Sequence, residues 1–145
     1  MQQKYQSGDV FNIPLGNGTF AICQVVWAPV GDYRNVFSFC VLENGNASPL
    51  RESNSNVPLV LNDGERTVEV FFAGTMNISR GKWGVLGHQS LSEKGRKLMV
   101  FNLAGALHEG DDFIRRLAPV DYSSYPSMSV FGFELIQTIL IDNSH

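Results

Sequence analysis

The first third of the chain carries three apolar segments whose spacing predicts β-strands. Within residues 10–15 apolar side chains occupy every second position, which is the spacing of one strand face. Residues 20–27 are largely apolar on both faces, so we expect this strand in the centre of a sheet. Residues 36–42 alternate again, and turns rich in glycine or proline at 16–18 and 28–33 separate the three segments. The pattern predicts a three-stranded meander.

Shorter apolar segments follow a polar stretch. Residues 43–56 are rich in Asn, Ser and Gly, which predicts an exposed loop. Further strands are predicted over residues 58–61, 67–72, 81–88 and 97–101. Asn62-Asp63-Gly64 lies between the first two of these, and Asp-Gly is a strong signal for a hairpin turn.

One segment of the chain has the signature of a helix. Asp111 or Asp112 is placed to cap a short helix, because an Asp side chain can accept a hydrogen bond from an unpaired amide of the first turn. Phe113, Ile114 and Leu117 would then lie on one face of that helix, and a proline shortly afterwards would close it.

The remaining C-terminal pattern completes the expected fold. Residues 121–126 are predicted to form a loop, and residues 130–141 a last strand because most of their apolar side chains share one parity. A length of 145 residues suits one domain, here residues 1–145. We expect a mostly β (α+β) single domain: a curved antiparallel sheet or small barrel, with one short helix packed against it.

Composition and charge narrow the classes of partner. Fourteen acidic and eleven basic residues give a formal net charge of −3, and no basic stripe is present. Because phosphate binding depends on clustered Lys and Arg, we expect no nucleic-acid partner. No segment has the length of a membrane span, and residues 1–6 lack the apolar run of a signal peptide, so we expect a cytoplasmic protein without a membrane partner.

The two cysteines, Cys23 and Cys40, fit the same compartment as reduced thiols in the core. Pairing of their two strands could bring the thiols near each other, so a disulfide is the alternative.

The sequence contains no recognisable catalytic constellation. It has no Gly-x-Ser-x-Gly elbow, and Gly81-Lys82 lacks the first glycine of a phosphate-binding loop. The histidines are His88, His108 and His145, and their spacing from the carboxylates matches no known zinc or calcium loop. We therefore expect no catalytic residue, no metal and no cofactor. The alternative is a metal-dependent hydrolase that uses His88, His108 and nearby carboxylates.

A group of acidic and tyrosine residues suits recognition of a protein better than catalysis, because fixed charge and tyrosine are common in interfaces. These candidate binding residues are Glu109, Asp111, Asp112, Asp121, Tyr122 and Tyr125. The competing interpretation is that the acids cap the predicted helix and the tyrosines cover the edge of the core.

Two motifs in the chain resemble the immunity protein 26 family. The first is G-D-V-F-N-I-P-L at residues 8–15, followed by G-T-F-A at 18–21, and the second is G-K-W-G-V-L-G-H-Q-S-L at 81–91. Their order and separation also resemble those of the family. We interpret the glycines Gly8 and Gly18 as turn residues, and Phe11, Ile13 and Trp83 as core residues, so the motifs describe a scaffold.

The resemblance implies a bacterial antitoxin of a polymorphic or contact-dependent toxin system. Such a protein binds its cognate toxin domain, often a nuclease, and occludes the active site or another surface that the toxin needs. The simplest expectation is a monomer in a 1:1 complex. Some related sequences carry an organophosphate-hydrolase label, which keeps the hydrolase as an alternative. A non-catalytic barrel that binds a small molecule is the third candidate, since a curved sheet can enclose an apolar pocket.

Overall fold

The chain folds into two antiparallel sheets and a small hairpin, seen in a computed structural model that describes residues 5–144. The strands are β1 (Asp9–Pro14), β2 (Phe20–Trp27), β3 (Val36–Asn46), β4 (Leu61–Asn62), β5 (Thr67–Val68), β6 (Phe71–Gly74), β7 (Val85–His88), β8 (Val100–Leu103), β9 (Ala106–Glu109) and β10 (Asp112–Arg116). The α-helices are α1 (Met76–Ser79), α2 (Glu93–Lys97) and α3 (Phe133–Asp142). Two parts of the sequence analysis lie outside the described residues: residues 1–4, which belong to the segment tested for a signal peptide, and His145, a candidate metal ligand.

The larger sheet has the strand order β6-β3-β2-β1-β7 and is open, with antiparallel pairing throughout. Its centre is the predicted meander of β1, β2 and β3. The turn from β1 to β2 uses Gly16 and Gly18, whose φ angles of +84° and +85° are unfavourable for residues with a Cβ. The mostly β, single-domain fold class is confirmed, in the form of a curved sheet that does not close into a barrel.

The first face of this sheet carries the larger apolar core. Alternation along the strands places Phe11, Phe37 and Phe39 on this face, all fully buried. Helix α3 covers them with Ile136, Ile139 and Leu140, again fully or almost fully buried. Each such side chain contributes about 1.5–3 kcal/mol relative to an exposed one, so this face accounts for much of the stability.

The second face is covered by the smaller sheet, which has the order β10-β9-β8. Trp27 and Phe72 from the large sheet contact Phe101 of β8, with ring centroids 4.9 and 5.2 Å from that ring. Leu98, which follows α2, is buried in the same cluster. Both faces of the large sheet are therefore filled by side chains, and the described residues enclose no barrel interior.

Cys23 and Cys40 are buried free thiols, as predicted, and no disulfide joins them. Cys23 lies in the core of the first face and Cys40 in that of the second. Burial raises the pKa of Cys23 well above its ordinary value and that of Cys40 to about 12, so neither thiol is a ready nucleophile.

The prediction of a helix capped by Asp111 or Asp112 was wrong. Residues Asp112–Arg116 form β10, which pairs with β9 in a hairpin. Gly110 adopts a φ of +58° in the turn, and the Gly-Asp dipeptide there is a hairpin signal that the capping interpretation overlooked. As a consequence Phe113 and Ile114 are 57% and 48% exposed instead of facing the core.

The prediction of a last strand over residues 130–141 was also wrong, because most of that segment is α3. Its apolar residues satisfy both periods, but Ile136, Ile139 and Leu140 are spaced as one face of a helix, and these are the residues that are buried. The amphipathic helix was favoured because the adjacent face of the large sheet was already apolar and needed covering.

Smaller differences concern the ends of elements. Strand β3 continues to Asn46, so the polar loop begins later than predicted. The predicted strand over 67–72 divides between the β4–β5 hairpin and the large sheet. Helix α2 was not anticipated; it begins after Ser92, whose hydroxyl accepts a hydrogen bond from the amide of Gly95 (3.0 Å). No helix within residues 5–144 is long and apolar enough to cross a bilayer.

Candidate functional site

The acidic cluster predicted from the sequence forms the tip of the β9–β10 hairpin. Glu109 and Asp112 are directly opposite each other in the ladder, and Gly110 and Asp111 form the turn between them. Glu109 and Asp112 are both exposed, and each carries a carboxylate on the same side of the hairpin. The tip therefore presents negative charge to solvent.

Asp111 also holds the tip against the core. Its Oδ1 accepts a hydrogen bond from the indole Nε1 of the buried Trp27 (2.9 Å). A Cβ on Gly110 would lie 3.4 Å from the same indole ring, so the turn packs closely on it. The amide of Gly110 donates to the carbonyl of Met99 (2.8 Å), which is a third contact that holds the turn in place. The hairpin tip is thus a well-anchored surface.

The tyrosine part of the predicted site lies in a 3₁₀ helix, Pro119–Ser124, and the residue after it. Asn102 of β8 is buried and donates from Nδ2 to the carbonyl of Tyr122 (3.3 Å), while its Oδ1 accepts from the amide of Gly105 (2.7 Å). A Cβ on Gly105 would lie 3.1 Å from the hydroxyl of Tyr122, so that ring lies against the β8–β9 turn. Tyr122 remains 41% exposed.

The structure brings three of the six predicted residues into one groove. Glu109, Tyr122 and Tyr125 line a depression of about 1140 Å³ between α2, the β5 region and the segment after the 3₁₀ helix. Its charged lining is mixed and includes Arg66, Glu69, Glu93, Arg96 and Lys97. Asp111, Asp112 and Asp121 do not line the groove. Tyrosine with mixed charge suits a protein surface better than a phosphate group, which needs clustered cations.

The two motifs that carry the family resemblance meet in the structure, because β1 pairs antiparallel with β7. Asp9 lies opposite His88, and its Oδ1 is 2.8 Å from Nδ1 of that histidine. The other carboxylate oxygen of Asp9 accepts from the amide of Gln6 (3.0 Å). On the core side Phe11 stacks on Trp83 with ring centroids 5.9 Å apart, which confirms Trp83 as a core residue.

Two glycines of these motifs are required by close packing. Gly8 has a φ of +95°, and a Cβ there would lie 2.6 Å from Cε1 of His88. A Cβ on Gly87 would clash with the carbonyl oxygen of Arg51. The motif residues therefore build the contact between two strands, as expected for a scaffold.

His88 of this pair borders a cavity of about 530 Å³ that Ser7, Ser90 and Glu109 also line. A hydrolytic triad needs a hydroxyl hydrogen-bonded to the free nitrogen of the histidine. The Ser7 hydroxyl instead donates to the carbonyl of Val26 (2.8 Å), and Ser90 makes no hydrogen bond to His88 in the described part of the chain. Asp9 therefore orients the ring of His88, as in a catalytic base, but neither serine is hydrogen-bonded to His88 as a nucleophile would be.

The other candidate histidine, His108, is partly buried and contacts two aromatic rings. His108 stacks on Phe101 with centroids 5.7 Å apart and meets the edge of Phe113 at 5.9 Å. It lies on the small sheet, whereas His88 lies on the large one and contacts Asp9. Within residues 5–144, no group of three or more His, Cys, Asp or Glu side chains could hold a metal ion.

Sequence reasoning missed two features of this region. One is the Asp9–His88 pair, whose members are 79 positions apart and meet only through strand pairing. The other is β10, where all five residues are exposed although Phe113 and Ile114 are apolar. The adjacent Gly-Asp hairpin signal could have identified the strand. The exposure of β10 could not be predicted in this way, because it depends on β10 being the edge strand of its sheet.

Comparison with known proteins gives one match. The family model described as immunity protein 26 matches residues 6–112, which is most of the chain. The matched region includes both motifs and ends at the first residue of β10. No curated protein and no solved structure matches.

Proposed function

The chain belongs to the immunity protein 26 family, and from this we propose that it is the antitoxin of a bacterial toxin. The proposed mechanism is binding of a cognate toxin domain so that its active site, or another surface that it needs, is covered. The match over residues 6–112 is the observation that carries the proposal. The acting unit is one domain, residues 1–145, in the cytoplasm, and it performs no catalysis.

The proposed contact surface is the predicted acidic and tyrosine group. Glu109, Tyr122 and Tyr125 form part of the wall of the groove, and Asp112 and Asp121 would extend the surface beyond it. Aromatic side chains flanked by exposed charge are the usual composition of interfaces that depend on a few strong contacts. Asp111 contributes by holding the hairpin tip in place through Trp27.

The proposed partner is a basic domain, most simply a nuclease. Three carboxylates at the hairpin tip and a net charge of −3 would favour encounter with a positively charged surface. One chain would bind one toxin domain, in a 1:1 complex. A stable complex of this kind buries about 1,200–2,000 Å² in total, so the groove and the hairpin tip would both be covered.

The experiment that tests this function is co-expression with the toxin encoded beside it. We expect the chain to restore growth of cells that make the toxin and to co-purify with it. The combined change Glu109→Lys and Tyr122→Ala should weaken both effects, whereas Asp142→Lys on the exposed part of α3 is the matched control. If the chain neither protects nor binds, the proposal fails.

Hydrolysis is the second candidate, favoured by one observation: His88 lines the smaller cavity and its Nδ1 contacts the carboxylate of Asp9. In that case His88 would act as a general base on water, with Asp9 orienting its ring. Hydrolysis of ester or phosphotriester substrates that disappears in His88→Gln, with an unchanged melting temperature, would favour it. Equal rates for the two proteins would remove it.

A further inference from the structure

Strand β10 forms the open edge of the small sheet. The outer edge of β8 is covered, because Asn102 donates its amide to the carbonyl of Pro126 (2.7 Å) and accepts from the amide of Met128 (2.9 Å). On the other side of the sheet, β10 bonds only to β9, and among residues 5–144 no other backbone group bonds to it. An open edge presents unpaired amides and carbonyls that can bond to another strand.

The apolar residues of this edge continue a row that begins in the core. Phe101, His108 and Phe113 lie opposite one another on β8, β9 and β10, and their rings are in contact. The exposed fraction rises along the row, from 1% at Phe101 to 57% at Phe113. Cross-strand neighbours of this kind stabilise a sheet, and Phe113 lacks one on its outer side.

The charges on the edge are ordered along the strand. Residues 111–116 read Asp-Asp-Phe-Ile-Arg-Arg, so two acids precede the apolar pair and two arginines follow it. No ion pair within 4.0 Å joins Asp112, Arg115 or Arg116 to another described residue. In an antiparallel partner, arginines must lie opposite the two acids of β10, and acids opposite its two arginines. Read from its own N-terminus, such a partner has two acids, two apolar residues and two arginines, which is the order in residues 111–116 themselves.

A bulge in β10 brings the required side chains to one face. Asp112 lies opposite Glu109 and Arg115 opposite Leu107, with Ile114 as the additional residue between Phe113 and Arg115. Residues three apart face opposite sides in a regular strand, but the bulge places Asp112 and Arg115 on the same side. In an antiparallel pair of two β10 strands, Asp112 of each copy can therefore face Arg115 of the other.

We propose that β10 pairs antiparallel with β10 of a second copy of this chain, joining two three-stranded sheets across a twofold axis. In the proposed register Asp112 faces Arg115 of the second copy, and Phe113 faces Ile114. Shifting the register by one residue in one direction leaves Asp112 opposite Ile114. Shifting it in the other direction places Asp112 opposite Arg116, whose side chain points to the other face of the strand because Arg116 lies opposite Ala106 and Asp112 lies opposite Glu109. Parallel pairing in register places like charges together. Bulges and charged residues usually prevent an edge strand from pairing with another chain. In β10 their arrangement allows pairing in this one register.

This association is weak, because a strand of five residues buries less surface than a standard interface. It is sensitive to salt, since the paired charges remain near solvent. Asp112 also belongs to the surface proposed for the toxin, so toxin binding and self-pairing would exclude each other, and the toxin complex would contain the monomer.

Two matched charge reversals test the pairing, measured by sedimentation velocity of the full chain over a wide concentration range at low salt. The wild type is expected to shift toward twice the monomer mass. Asp112→Arg and Arg115→Asp place like charges opposite each other twice per dimer, so each alone should weaken dimerisation by about tenfold or more. A mixture of the two variants should form the heterodimer, and the variant with both changes should dimerise again.

Several results would overturn the proposal. One is a wild type that stays monomeric at every concentration. If both substitutions then weaken a toxin complex, the toxin occupies this edge and a second copy does not. Another is a dimer that neither reversal affects, which would use a different surface. A third is a mixture whose average mass equals that of its separate components. Both positions are exposed, so unchanged melting temperatures should accompany the variants.

Discussion

Replacing Trp83 by alanine tests whether the second family motif contributes to the fold through packing. Trp83 is 5% exposed and its ring meets Phe11, Phe39 and Phe133 at centroid distances of 5.9, 5.7 and 5.2 Å. A buried Trp→Ala change costs about 3–5 kcal/mol through lost transfer energy and the cavity left behind. We expect the upper half of that range, since these contacts and a fourth with Phe37, at 6.4 Å, are lost together.

The assay is urea unfolding followed by circular dichroism, with the denaturant slope compared between variants. In a thermal scan of the same samples, the melting temperature of Trp83→Ala should fall by roughly 10–20 °C for a chain of this size. Trp83→Phe should lose less, because it keeps part of the ring contacts. Leu135→Ala, at a half-exposed position of α3, is the control and should cost under about 1 kcal/mol. A loss below about 1 kcal/mol for Trp83→Ala would refute the assignment of this residue to the core.

Three further predictions concern Asp111, Gly87 and the buried thiol of Cys40. Asp111→Ala should destabilise the chain by about 1–3 kcal/mol in chemical unfolding, because the indole of Trp27 would lose its hydrogen-bond partner. Asp111→Asn should lose less stability. Equal losses for the two variants would mean that the hydrogen bond contributes nothing. Gly87→Ala should displace the backbone at Arg51 and increase amide hydrogen exchange there, and unchanged exchange would contradict the close packing. Stability should fall as pH rises from about 9 toward about 12, because the Cys40 thiol deprotonates first in the unfolded chain; a Cys40→Ala variant with the same pH dependence would exclude this cause.

The sequence predicted the central sheet well because its strands are apolar and are separated by clear turn signals. The alternation in β1 and β3, and the turn with Gly16 and Gly18, had one reasonable interpretation. The hairpin at Asp63-Gly64 was equally clear. Local chemistry decides these features, so they did not depend on the rest of the fold.

The C-terminal elements were harder because the pattern there satisfied two periods. Phe133–Asp142 reads as a strand by parity and as a helix by Ile136, Ile139 and Leu140. The choice depends on which surface needs covering, and that surface is formed by strands far earlier in the chain. The prediction for β10 failed for a related reason, since two adjacent apolar residues were assumed to be buried.

The candidate binding residues depended on proximity that the sequence alone could not establish. Glu109, Tyr122 and Tyr125 do line one groove, but Asp111 turned out to bind Trp27. The Asp9–His88 contact joins two motifs that had been interpreted separately. Contacts between distant strands follow from sheet order, which the composition of each strand does not determine.

The most direct test of the proposed function is a protection and binding measurement with the proposed partner, a toxin domain whose gene is adjacent to the gene of this chain. Both proteins are produced in one bacterial host, growth is followed after toxin induction, and the purified pair is analysed for stoichiometry. The account predicts restored growth and a 1:1 complex that is lost in the Glu109→Lys and Tyr122→Ala variant but kept in Asp142→Lys. Full toxicity in cells shown to contain both proteins, with no complex recovered, would contradict it.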